Sequence, residues 1–274
     1  MKIGEYDIGV CSWSLKQTDM ASLFAVIQDQ LKLSHCQLAL GEICNRGEEG
    51  IEEIKRLAEG VTLTAGMVGF EGENYATIEK IKQTGGYVPD ELWESRKQLT
   101  LKAADFAVEL GIKMLSTHVG FVPRPNDPNY DSIISRITEL SKPLADLGIE
   151  LLMETGQEPA NELLQFLHDL HCKTFGVNFD PANMLLYGSG DPIEAITTLG
   201  RHIRHVHIKD AVRSARPGID WGEEVPFGDG QVPHAAFLST LKTVGYSGPL
   251  VIEREAGDDR IGDVGVAIQT LRTL

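Results

Sequence analysis

Four short apolar runs in the chain each end in a residue that can bind a cation or carry a proton: Leu151-Leu152-Met153-Glu154, Val177-Asn178-Phe179-Asp180, His205-Val206-His207 and Val251-Ile252-Glu253. A carboxylate behind such a run does not suit a solvated face, because a charge at the end of a buried segment is desolvated at a cost unless it meets a partner. Glu154, Asp180 and His207 follow one another at the spacing of single strand–helix units, so they would stand on successive strand ends. Three carboxylates and an imidazole brought together repel one another unless a cation sits among them; a metal-free ion network is the alternative. An O,O,O,N donor set suits one divalent ion, Mn²⁺, Mg²⁺ or Co²⁺, with Zn²⁺ also admissible. Removing a proton from a carbon next to a carbonyl needs positive charge at the oxygen that becomes an enediolate. A divalent Lewis acid supplies it, worth several kcal/mol. The same step needs a positioned base, typically worth about 10²–10⁴-fold. Two glutamates on non-adjacent strands can serve opposite sides of a bound sugar.

Buried parallel strands are the elements that can position such residues. Apolar runs at 6–13, 36–40, 61–68, 114–118, 149–154, 174–180, 203–208 and 250–253 are short and bounded by Gly, Pro, Asp or Asn, as these strands require. Helical spacing fills the gaps over 21–31, 48–58, 94–110, 131–147, 160–170, 192–199, 234–244 and 262–271. Several of these end in a glycine suited to a left-handed cap, such as Gly111 and Gly148. Pro143 is expected to kink or split the fourth. Eight strands alternating with eight helices predict an α/β fold, a (β/α)₈ TIM barrel forming a single domain over 1–274, with its site at the C-terminal strand ends. A doubly wound open sheet would want a glycine-rich phosphate turn after the first strand; the chain has Cys11-Ser12-Trp13-Ser14-Leu15 there. The connections 69–93 and 119–130 are longer than a barrel requires and leave strand C-termini, which makes them candidate lids or pocket walls.

The 274 residues hold 25 Lys and Arg against 40 Asp and Glu, a formal charge of −15, and are 42% hydrophobic. That composition fills a core and excludes disordered, collagenous and disulfide-scaffold classes. The acidic balance disfavours an extended nucleic-acid surface, which needs clustered Lys and Arg. No apolar run approaches the roughly 18 residues of a membrane span, and the opening MKIGEYDIGV lacks the apolar core of a signal peptide. Cys11, Cys36, Cys44 and Cys172 form no Cys-x-x-Cys pair and are expected to be reduced and mostly buried. The expectation is a cytoplasmic protein with a small-molecule substrate, no nucleic-acid or membrane partner, and homo-oligomerisation left open.

Glu154 in LLMETG, Asp180 in VNFDPAN, His207 in HVHIKD and Glu253 in VIERE resemble the metal quartet of the xylose-isomerase-like TIM barrels. That superfamily contains sugar and sugar-phosphate isomerases and epimerases, inosose dehydratases, hydroxypyruvate isomerases and endonuclease IV. The resemblance covers essentially the whole chain. It implies a metal-dependent isomerase or epimerase acting on a sugar, sugar phosphate or polyol-derived compound, with Glu154 and Glu253 doubling as the acid/base pair. It places Arg213, in the loop after His207, on substrate oxygens, and His118, closing LSTHVG, beside substrate. Lys209 alternates with His207 toward the mouth, and Trp13 and Glu42 at the first two strand ends are candidate pocket wall. His205 shares a side with His207 at a deeper level and is expected to be a hydrogen-bonded interior residue. Several relatives, the ketose 3-epimerases among them, carry a histidine where this chain has Asn183. An amide can hydrogen-bond a substrate hydroxyl but cannot take a proton at neutral pH. The loop 222–228 also lacks the Asp-x-His of the endonuclease IV zinc site, which with the charge disfavours nuclease chemistry. An inosose-dehydratase-type lyase shares the first step and then expels a β-hydroxyl. A barrel that binds sugar without turnover is the rival from another class, and the paired glutamates argue against it.

Overall fold

Leu151, Leu152 and Met153 are fully buried on one strand, as a strand covered on both faces demands. The computed structural model describes residues 1–41 and 43–274. The strands are β1 (Tyr6–Cys11), β2 (His35–Ala39), β3 (Thr62–Met67), β4 (Met114–Thr117), β5 (Glu150–Glu154), β6 (Phe175–Phe179), β7 (Ile203–Ile208) and β8 (Leu250–Ile252). Each pairs with its neighbour in chain order, and β8 pairs in parallel with β1, so the sheet closes into a (β/α)₈ TIM barrel. Helices pack outside it through fully buried residues such as Ile54, Ile137, Leu140 and Ile196. Each such side chain contributes roughly 1.5–3 kcal/mol by leaving water. Among the described residues no helix is long and apolar enough to cross a membrane.

The helices fall close to the predicted spans, with instructive exceptions. The first is an α-helix only over Met20–Ala25 and continues as a π turn over Val26–Gln30. Tyr130–Leu147 runs unbroken through Pro143, contrary to a split, because Leu140 and Leu144 on either side are fully buried and hold the segment against the core. The segment 69–93 contains the short helix Ile78–Thr84. Two elements were not anticipated. Pro181–Tyr187 forms a helix whose N-cap is Asp180 and whose first residue is proline. Asp210–Val212 and Glu223–Val225 form an antiparallel ribbon above the barrel.

Two register shifts mark the barrel wall, at Cys36/Gln37 between β2 and β3 and at Val177/Asn178 between β6 and β7. Such irregularities re-aim side chains. Gln37 and Asn178 are amides that both reach His207.

Candidate functional site

His207 Nδ1 lies 3.3 Å from Glu253 Oε2, 3.4 Å from Glu154 Oε1 and 3.5 Å from Asp180 Oδ2. One donor atom from each of the four residues lies within 4.8 Å of the others, and all four residues are buried. Among the described residues the metal-competent groupings are this quartet and Cys11–His207–Glu253, which shares two of its members. Asp180 Oδ2 and His207 Nδ1 are nevertheless buried without a hydrogen-bond partner. Leaving such atoms unsatisfied costs about 1–3 kcal/mol each. Four donor atoms this close together, two of them unpartnered, suit a divalent cation among them.

Local structure fixes each donor. Asp180 Oδ1 accepts from the backbone amides of Ala182 and Asn183 at 2.8 and 2.9 Å, capping the next helix and leaving Oδ2 for the centre. His207 Nε2 stands 2.6 Å from Gln37 Oε1. A proton on Nε2 donated to that carbonyl leaves the Nδ1 lone pair on the centre, the second-layer device that orients a metal-binding imidazole. Glu154 Oε1 accepts from Asn183 Nδ2 at 3.0 Å. Glu253 Oε1 accepts from the Trp13 indole at 2.8 Å, and its Oε2 from Lys209 Nζ at 2.9 Å.

The electrostatics follow from that crowding. Burial opposes charge on His207, but Glu253, Glu154 and Asp180 outweigh it and hold the imidazole well above the ordinary histidine range. The same carboxylates thus favour positive charge at the centre. Burial pushes Asp180 up to about 6 against the pull of Lys209. Burial works the same way on Glu253, yet Lys209 and His207 keep that carboxyl well below the usual range.

The structure brings most of the anticipated residues to the mouth. Lys209 is buried there, bonded to Glu253 and to Glu255 at 2.7 Å. Trp13, His118 and Asn183 line the cavity above the quartet, and His118 Nε2 lies 3.8 Å from Glu154 Oε2. Glu42 lies outside the described residues. Arg213 stands apart from these. It lies in the loop between the two ribbon strands, is exposed, and donates to the Gly190 carbonyl. That ribbon was not visible in the offset from His207.

Other residues join the mouth that the strand-end argument passed over. Tyr75, in the segment 69–93, lines the cavity with Phe70 and Glu73. Trp221, from the loop of the ribbon, donates to the Tyr75 carbonyl at 3.1 Å and packs on Tyr187 with ring centroids 4.7 Å apart. Gln37 had a signal, a lone amide inside the apolar run Cys36–Leu40, whereas nothing periodic marked Trp221.

The family model described as xylose isomerase-like TIM barrel matches residues 44–274. The crystal structure of a xylose isomerase domain protein from Planctomyces limnophilus is 36% identical, with a TM-score of 0.91, and covers 98% of this chain and 97% of its own. An L-ribulose-5-phosphate 3-epimerase, UlaE, from Salmonella paratyphi C is 25% identical over 203 residues, 66% of this chain and 69% of that protein. The uncharacterized protein YihM of Escherichia coli K12 is 30% identical over 151 residues, and the match spans 54% of this chain and only 46% of YihM.

Proposed function

The chain belongs to the xylose isomerase-like TIM barrel family, and we propose from that premise that it is a divalent-metal-dependent isomerase or epimerase of a sugar, sugar phosphate or polyol-derived carbonyl compound. The observation that carries this reading is the unpartnered His207 Nδ1 facing carboxylate oxygens from three other strand ends. The likeness to UlaE supports the sugar chemistry. Glu154, Asp180, His207 and Glu253 would hold one ion, with Mn²⁺, Mg²⁺ or Co²⁺ suited to the donors. When bound, that ion supplies positive charge beside the substrate carbonyl, where negative charge develops as the neighbouring C–H proton leaves.

The chain's own groups do the rest. One of Glu154 and Glu253 takes the proton from the carbon next to the carbonyl, and the other returns a proton to the opposite face, which inverts the centre. Trp13 and Lys209 fix the two oxygens of Glu253, and Asn183 orients Glu154. His118, hydrogen-bonded to Gln157 at 3.1 Å, stands where it can bind a substrate hydroxyl.

The test is to strip the protein of metal, restore single ions, and incubate it with ketoses, inososes and their phosphates in deuterated water. Metal-dependent deuterium uptake at the carbon next to the carbonyl, with an epimer or isomer as product, is expected. An unsaturated product would replace the reading by the dehydratase one. Activity indifferent to metal removal would sink it.

A further inference from the structure

The loops at this end of the barrel carry several devices that elsewhere bind phosphate, and in each the chain has placed a carboxylate of its own. Barrels bind phosphate in the loops after their seventh and eighth strands and at a helix N-terminus nearby. Here the loop after β7 includes the glycine-bearing stretch Pro226-Phe227-Gly228-Asp229-Gly230-Gln231. Its amides are already taken: Asp210 Oδ2 accepts from Gly228 and Gly230 at 3.1 Å each, and Oδ1 accepts from Val232 at 3.0 Å. The fit is close, since a Cβ on Gly230 would lie 2.1 Å from Asp210 Oδ1. After β8, the N-terminus of helix Arg260–Thr273 is capped by Asp259, which accepts from the Gly262 amide at 3.0 Å. Lys209, the buried ammonium of the mouth, is bonded to Glu253 and Glu255.

The cavity wall has the same bias. It is lined by Asp19, Glu71, Glu73, Glu224, Glu253 and Glu255, while the lining arginine, Arg46, is paired with Glu53. A doubly charged phosphate entering here meets a wall in which carboxylates outnumber the lining Arg46 and His118, a like-charge juxtaposition that disfavours it. A neutral polyol meets carboxylates that accept its hydroxyls and the aromatic rings of Trp13, Tyr75 and Trp221.

We propose that the substrate of this site is an uncharged polyhydroxy carbonyl compound, and that Asp210, Glu255 and the acidic wall select against its phosphate esters. This rests on the reading of the site as a sugar isomerase or epimerase and narrows its substrate class. Glu255, at the open side of Lys209, is the specificity-determining residue most accessible to test.

The experiment uses the full-length protein loaded with Mn²⁺ and measures binding by calorimetry, separately from turnover. D-ribulose and D-fructose are compared with D-ribulose 5-phosphate and D-fructose 6-phosphate, with inorganic phosphate as the bare anion. Each free ketose is expected to bind at least about tenfold tighter than its phosphate. Raising the salt should narrow that gap by screening, with little change for the free sugar. Glu255→Gln should narrow it as well. Phosphates binding as tightly as the free ketoses, or neither class binding, overturns the proposal. Deuterium exchange in the same samples reports on the parent reading independently. Free ketoses that bind selectively without exchange uphold the selectivity and refute the isomerase chemistry; exchange confined to the phosphates does the reverse.

Discussion

His205 and His207 stand two residues apart on β7, both fully buried, with ring centroids 5.7 Å apart, yet the two levels of the barrel use them oppositely. At the lower level His205 Nδ1 meets Asn178 Oδ1 at 2.9 Å and Nε2 meets Thr64 Oγ1 at 3.0 Å. Both ring nitrogens are satisfied by neutral partners, and burial together with His207 holds its pKa well below the ordinary value. At the upper level His207 keeps Nδ1 unpartnered among three carboxylates, and its pKa rises. Depth and residue type are the same. What separates a core histidine from a ligand is whether its neighbours leave a charge to be answered.

The comparison breaks most visibly through the carboxylates of the upper level. Glu253→Gln keeps an oxygen and nearly the same volume but cannot accept a proton. Turnover of the true substrate should fall by about 10²–10⁴-fold, the usual worth of a general base. Metal should stay bound, if more weakly, and full activity in this variant would remove Glu253 from the mechanism. The paired histidine variants give the next largest effect. His207→Ala should lower metal affinity by more than about 100-fold, beyond what losing an outer-layer partner costs, while the protein stays folded. His205→Ala should keep most of the affinity and instead lose about 2–4 kcal/mol of stability, through the cavity and the orphaned Asn178 and Thr64. Equilibrium dialysis and denaturant melts of the two variants check this; matching profiles would dissolve the distinction between the levels.

Glu154, Asp180, His207 and Glu253 were legible because a charge ending an apolar run has few explanations. The barrel was legible for a related reason, since strand and helix periods alternate along the whole chain. The ribbon shows where such reasoning stops: a sequence offset carries no information about three paired residues a side, in whose loop the exposed Arg213 lies. Trp221 lay beyond reach because it meets Tyr75 only after two long loops cross the mouth. The helix after Asp180 was within reach, since an Asp followed by Pro is a helix start, and its cap explains why Asp180 offers the centre only one oxygen.

Gln37 sharpens the comparison with a smaller effect. It meets His207 on Nε2 as Asn178 meets His205 on Nδ1, but only His207 keeps its other ring nitrogen for the centre. Gln37→Leu should therefore weaken metal binding by roughly 10–100-fold while leaving the ligand set intact. Unchanged affinity would mean that the surrounding carboxylates alone orient the ring.

The smallest effect is a pair of opposed pH slopes. In the metal-free protein the raised pKa of His207 contributes stability that is fully present below the unfolded value near 6.5. That contribution is lost as pH rises through the folded value. Asp180, pushed up to about 6 from 3.8, adds a loss of the same sign between those values. The lowered pKa of His205 acts the other way, giving stability that is present above about 6.5 and lost as pH falls. Each proton changes stability by at most about 1.4 kcal/mol per pH unit. Metal binding takes the neutral imidazole and so displaces the His207 proton. Calorimetry in buffers of different ionisation enthalpy should then find up to about one proton released per ion near neutral pH, and one ion per chain. Melting temperatures of the metal-free protein should decline on the alkaline side, where those of the loaded protein do not. The His207→Ala variant should lose this alkaline decline, and His205→Ala the acid one. Metal uptake without proton release would show that His207 is already neutral among its carboxylates, and the contrast between the two levels would then rest on hydrogen bonding alone.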